Sequence, residues 1–209
     1  MRRVLVTGFE PFAGQRVNPS QLAVEKLAGT TIAGRRIETA ILPCVFADAP
    51  AALRRALRRY QPELVICVGE AGGREAITIE RVAINVDDAR IADNAGAQPI
   101  DRAIARRGPA AYWSTLPIKA IVAALARRKI PAAVSQTAGT FVCNHVFYGL
   151  MRTLSRRRGV RGGFIHVPYV RGQGKPSLPL ATIVEGLELA IATALTTKRD
   201  VHTRGGAEH

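Results

Sequence analysis

Glu63-Leu64-Val65-Ile66-Cys67-Val68-Gly69 holds five apolar residues in an unbroken run, opened by a glutamate and closed by a glycine. An alternating pattern would mark a strand with one wet face. A continuous run marks a strand covered on both faces, the pattern of a parallel or mixed sheet sandwiched by helices. The preceding segment, Ala47 to Tyr60, carries apolar residues at i, i+3, i+4 and i+7 and reads as a helix. Moving outward, Val4-Leu5-Val6 (within Arg3 to Gly8) and Phe164-Ile165-His166-Val167 (within Gly163 to Tyr169) repeat the continuous pattern, and Arg36 to Pro43 and Ala132 to Thr137 complete the candidate strands. Helical spacing fills Ser20 to Leu27, Pro117 to Arg128, Cys143 to Arg157 and Leu180 to Thr197. The alternation of strands and helices predicts a single α/β domain over residues 1–197, a mixed sheet with helices on both faces. Residues 198–209 are polar and are expected to form a disordered tail. The stretch from Ala71 to Ser114 is less regular. A hairpin is expected around Thr78 to Val86, followed by a polar segment, Asp87 to Gly96, of the kind that often forms a functional loop.

The chain has 209 residues, long enough to bury a core without disulfides or metals. Three widely spaced cysteines, Cys44, Cys67 and Cys143, exclude a disulfide framework and offer no CxxC or Cys/His cluster for zinc. The start is basic, but its apolar run ends too soon for a signal peptide, and no segment reaches the ~18 apolar residues of a membrane span. The expectation is a soluble cytoplasmic protein with no membrane partner.

Lysine plus arginine number 30 against 16 acidic residues, a formal charge of +14, which raises nucleic acid as a partner. The distribution argues against it. The arginines come mostly as doublets within helical patterns, such as Arg54-Arg55, Arg58-Arg59, Arg127-Arg128 and Arg156-Arg157-Arg158, and belong on solvent faces. With 5% aromatic residues, no base-stacking platform accompanies them.

Cysteine is scarce enough to weigh case by case. Cys67 lies within a buried strand pattern and Cys44 just after a strand, so both read as core. Cys143 follows the turn-like Thr137-Ala138-Gly139-Thr140 and opens a helix. There the helix dipole and unpaired N–H groups favour a thiolate and could meet an oxyanion. Cys143 also continues an apolar stripe through Val146, Phe147, Leu150, Met151 and Leu154, so a core role stays open. A cysteine nucleophile needs a base. His202 and His209 fall in the tail, and His145, two helical residues on, points about 200° away from Cys143. His166 remains, at the carboxyl end of an apolar strand where open α/β sheets bind ligands, with a buried structural histidine as the alternative. For the carboxylate that would orient it, Glu70, Glu75, Glu80, Asp87, Asp88 and Asp93 are all open.

These residues sit in four ordered stretches that resemble the pyrrolidone carboxyl peptidases, or pyroglutamyl peptidases I, a family of cytosolic cysteine peptidases. The stretches are Val6-Thr7-Gly8-Phe9-Glu10-Pro11-Phe12 with Asn18-Pro19-Ser20, Gly69-Glu70-Ala71-Gly72-Gly73-Arg74 through Ile77 to Asn85, Ser135 to Asn144, and Gly163-Phe164-Ile165-His166-Val167-Pro168. The resemblance spans nearly the whole chain. It implies an open α/β/α sandwich, often assembled as a homotetramer, that removes an amino-terminal pyroglutamyl residue from peptides without a cofactor or metal. It implies Cys143 as nucleophile, His166 as base and acid, and Glu80 as the carboxylate, with Arg90 and the Cys143 N–H at the oxyanion. Phe9, Phe12, Ile91, Phe141 and Val142 would line an apolar lactam pocket, with Glu70 beside it. Two positions depart from the family's common pattern: Glu70 stands where glutamine is usual, and Ala13 where glycine is. Two other readings stay in view, a basic protein that binds nucleic acid or another polyanion on the same fold, and a cysteine amidohydrolase with a shifted substrate.

Overall fold

The computed structural model describes residues 2–206. In chain order its elements are β1 (Arg3–Phe9), α1 (Pro19–Leu27), β2 (Thr31–Ile32), β3 (Arg35–Leu42), α2 (Ala49–Tyr60), β4 (Leu64–Glu70), β5 (Ile77–Glu80), β6 (Val82–Ile84), β7 (Ala111–Trp113), α3 (Ile118–Arg127), β8 (Ala132–Ser135), α4 (Val142–Leu154), β9 (Arg161–Val167), β10 (Tyr169–Val170), β11 (Ser177–Leu178) and α5 (Leu180–Thr196). Seven strands form one sheet in the order β2-β3-β1-β4-β9-β5-β8. The three continuous apolar runs take its three middle places. Strands β3, β1, β4 and β9 are mutually parallel, whereas β5 runs antiparallel to β9 and carries β8 parallel to itself.

Strand alternation divides the side chains between two cores. Ile66, Val68, Ile165 and Val167 pack with α1, α3 and α5, while Val65, Cys67 and Phe164 pack with α2 and α4. Each of these is almost wholly buried. At about 1.5–3 kcal/mol for a large apolar side chain removed from water, the sheet's two faces supply much of the driving force for folding. The same alternation puts His166, two residues beyond Phe164, on the α4 side.

Local signals set the element ends. Asn18 caps α1, its side chain accepting from the Ser20 amide at 2.9 Å, and Pro19 occupies the first turn. The Ser20 hydroxyl in turn accepts from the Phe9 amide, and Asn18 Nδ2 donates to the Glu10 carbonyl, so this short run binds the loop after β1 to the helix. Gly8 permits that contact, since a Cβ there would lie 2.6 Å from the Ser20 carbonyl oxygen. Ala13, in the same loop, takes φ +52°, a left-handed conformation that favours glycine.

One expectation needs correction. Thr78 to Val86 is no hairpin: β5 joins the main sheet, while β6 pairs antiparallel with β7 in a separate ribbon. The chain leaves the sheet at Arg81, whose amide donates to the Ser135 carbonyl and whose carbonyl accepts from the Ser114 amide. The tail, as far as it is described, is tied down. Asp200 accepts from the amides of Lys119 and Ala120, supplying α3 with the side-chain cap that Pro117 cannot give. The Gly205 carbonyl accepts from Arg81 Nη2 at 2.7 Å. His209 lies outside the described residues.

Candidate active site

The parallel strands bring their carboxyl ends to one edge, and there the polar residues collect. Thr78 stands opposite His166 in the β5–β9 pairing, so Thr78, Glu80 and His166 share the face covered by α4. His166 Nδ1 lies 2.8 Å from Glu80 Oε1, with His166 4% exposed and Glu80 fully buried. An ionised carboxylate only accepts, so Nδ1 carries the proton it donates, leaving Nε2 as the free nitrogen.

Cys143 reaches this pair from the opposite layer. It is the second residue of α4, and Phe141 opens that helix without a side-chain cap. The first-turn N–H groups that a Ser or Asp would normally occupy are therefore left to a ligand. The Sγ lies over Gly69, the register neighbour of His166 on β4. A Cβ on Gly69 would sit 2.8 Å from Sγ and 2.9 Å from the Phe164 ring. Glycine is what makes room for the thiol beside the imidazole.

The first turn of α4 is anchored by its own polar residues. Asn144, fully buried, accepts from the Ile84 amide and donates to the carbonyls of Ile84 and Val86. His145, read from sequence as a surface or packed histidine, sets Nδ1 2.8 Å from the buried Asp87 carboxylate. Thr140 and Asp88 exchange two hydrogen bonds, so the polar segment after β6 is fixed to the approach of α4. Arg90, two residues on, is exposed, and its guanidinium forms no hydrogen bond or ion pair to protein among the described residues.

Burial acts in the same direction on all three thiols. Burial pushes Cys44 and Cys67 each up to about 12, in keeping with core cysteines. Burial also raises Cys143, helped by nearby Cys44 and the carboxylates of Glu80 and Glu70, whereas its helical position alone led to the opposite expectation. The resting group is thus a neutral thiol that needs a base at hand. Burial would raise Glu80 too, but the hydrogen bond and charge of His166, the Ser135 hydroxyl and Arg74 outweigh it and hold this carboxyl below its ordinary value.

The apolar residues fall into two groups. Phe12 and Phe141 face each other at 6.0 Å between ring centroids, and Phe46 meets Phe141 edge-on at 5.3 Å. Phe46 went unnoticed in the sequence because nothing in its neighbourhood resembles a motif. Phe9 and Val142, by contrast, are sealed into the core, where Phe9 packs near Phe164. What Val142 can offer a ligand is backbone. Ile91 is partly exposed in the polar segment. Glu70 closes β4 and accepts from Gln173 Nε2 at 2.8 Å, with burial pushing its carboxyl up. Among the described residues, no three His, Cys, Asp or Glu side chains converge as a metal site would require.

A sequence model of the family described as Pyroglutamyl peptidase matches residues 2–197. The chain belongs to that family. Pyrrolidone-carboxylate peptidases of Klebsiella pneumoniae and Cupriavidus taiwanensis are 58% and 57% identical to it, each over the full length of both chains. Pyroglutamyl peptidase I of Bacillus amyloliquefaciens superposes with a TM-score of 0.94 at 50% identity, covering 98% of this chain and 100% of the other. The pyrrolidone carboxyl peptidase of Thermococcus litoralis does so with 0.93 at 36% identity over the same shares. The pyroglutamyl peptidase fold is thus the α/β arrangement described above, a mixed sheet with five helices.

Proposed function

We propose that this protein is a cysteine exopeptidase that removes an amino-terminal pyroglutamyl residue from peptides, with Cys143, His166 and Glu80 as its catalytic residues. The observation that carries the reading is the Glu80–His166 contact at 2.8 Å on the strand beside Gly69, over which the Cys143 sulfur lies. His166 Nε2 takes the thiol proton as Sγ attacks the pyroglutamyl carbonyl carbon, and the carbonyl oxygen becomes an oxyanion. The uncapped N–H groups at the start of α4, with Arg90 from the adjoining segment, meet that charge. Collapse breaks the C–N bond, and the imidazolium gives its proton to the leaving amine. Water, activated by the same imidazole, then hydrolyses the thioester and returns the thiol. Glu80 holds Nδ1 throughout and stabilises the imidazolium.

The pyroglutamyl ring is a neutral lactam. Phe12, Phe46, Phe141 and Ile91 offer apolar walls suited to it. Glu70 is engaged by Gln173, which supports a rim position for its carboxylate rather than contact with the lactam. The same reading includes a cytoplasmic location and a homotetramer. Ile100 and Trp113, 77% and 68% exposed, support self-association. Hydrolysis of a pyroglutamyl arylamide, beside a glutamyl arylamide and Cys143→Ala, tests the activity. Release from the lactam substrate alone, lost in the variant, is the expected outcome. Release that survives Cys143→Ala overturns the assignment.

A further inference from the structure

Arg74 lies in the loop that feeds β5, and its guanidinium spans three parts of the site. Nη1 donates to Glu80 Oε1 at 2.8 Å and to Thr78 Oγ1 at 2.5 Å, while Nη2 donates to the Thr137 carbonyl at 3.2 Å. Oε1 is the same oxygen that holds His166 Nδ1, and Glu80 Oε2 has no hydrogen-bond partner among the described residues. Arginine and imidazole therefore compete for one buried negative charge.

We infer that Arg74 is a positioning residue that sets the protonation state of the Glu80–His166 pair, keeping the imidazole free of its second proton so that it can act as a base. The inference rests on the peptidase reading and deepens it. Its logic is charge balance. A fully buried carboxylate without a cation beside it would draw a proton onto His166, and an imidazolium cannot accept from a thiol. With Arg74 in place the charges of Arg74 and Glu80 cancel, which removes the carboxylate's demand for a second proton on the imidazole. Later in the cycle the guanidinium opposes the imidazolium, so His166 gives up its proton to the leaving amine more readily. The charged and titratable groups around the pair are Arg74 before β5, Glu80 on β5, Cys143 on α4, Cys67 and Glu70 on β4, and Cys44 after β3. Arg74 is the cation among them. Its bond to Thr137 also ties this charge to the loop that leads into the nucleophile's helix.

The test compares wild type, Arg74→Gln and Arg74→Lys by two readouts. The first is the pH profile of kcat/KM on a pyroglutamyl arylamide; the second is the NMR titration of the His166 Cε1 proton, which needs no activity. In Arg74→Gln both the acid limb and the NMR midpoint should move up by about one pH unit, so that kcat/KM falls by roughly tenfold below both midpoints, by less at neutral pH, and is regained on raising the pH. Arg74→Lys should restore the midpoint. An unmoved NMR midpoint in Arg74→Gln overturns the inference even if activity falls, because a purely structural role lowers kcat/KM equally at every pH. Should Arg74→Gln fail to fold, Thr78→Val, which frees the guanidinium from its hydroxyl anchor, is read by the same midpoint: a smaller upward move is expected, and none overturns the inference. Inactivity of wild type itself would count against the peptidase reading and leave the NMR comparison to decide the role of Arg74.

Discussion

At the scale of single residues, Glu70 is the departure with the clearest consequence. Its carboxyl is raised by burial, so the charged form is held at a cost in the folded protein. The fold's preference for the protonated form is fully present below the unfolded value of about 4.3 and is lost as the pH rises through the higher folded value. Glu70→Gln keeps an oxygen to accept from Gln173 and discards the charge. It should therefore raise the urea midpoint at about pH 8 and leave it unchanged at about pH 4, where both side chains are neutral. Because Glu70 is one of the carboxylates that raise Cys143, the variant should also be alkylated faster by iodoacetamide at neutral pH. A destabilised, less reactive variant would show that the carboxylate holds the rim together in a way glutamine cannot. No spacing rule could have picked Glu80 from the six acidic candidates, because its partner His166 is 86 residues away and the pairing of β5 with β9 is what joins them. Cys143 and His166 were legible sooner, since so few cysteines and histidines compete for those roles.

Among the elements, α4 carries the proposed nucleophile in its first turn, where a helix is weakest. Asn144 compensates with three hydrogen bonds to β6 and the residue-86 carbonyl. Asn144→Ala would leave partly buried backbone groups of Ile84 without these partners, and we expect a loss of about 2 kcal/mol in urea unfolding. Activity should fall further than the folded fraction does, since the turn bearing Cys143 is released from its anchor. A variant with full specific activity would show that packing alone holds the turn. Helix and strand positions were readable where burial imposes a period, as in β1, β4, β9 and all five helices. Ile77 to Ile84 misled because its alternation is real but encodes only which face is buried. Nothing local says that β5 pairs with β9 and β8 while β6 turns away to β7.

For the whole molecule, the charge excess has a definite address. Arg54, Arg55, Arg58 and Arg59 on α2 and Arg152, Arg156 and Arg158 at the end of α4 are exposed, and none lies within ion-pair distance of a carboxylate among the described residues. These helices cover the same face, so like charges gather there. Added sodium chloride should screen that repulsion and raise Tm by a few degrees up to about 0.3 M. A Tm that falls with salt would mean that the six Arg–carboxylate ion pairs outweigh the repulsion.

The in-register pairing of β4 with β9, from Leu64 opposite Arg161 to Glu70 opposite Val167, makes the site a matter of counting as much as of chemistry. Odd and even positions in these strands have different destinies, one side holding His166 and Gly69 under α4 and the other the apolar layer beneath α5. Deleting a single glycine from Gly162-Gly163 would remove no catalytic atom, yet it would exchange the two sides of β9 and turn the imidazole into oil. Loops at the carboxyl edge can lengthen or shorten by any number, and thereby reshape what the enzyme admits. The strands beneath them tolerate change in length only in pairs, so single-residue insertions and deletions belong at the rim.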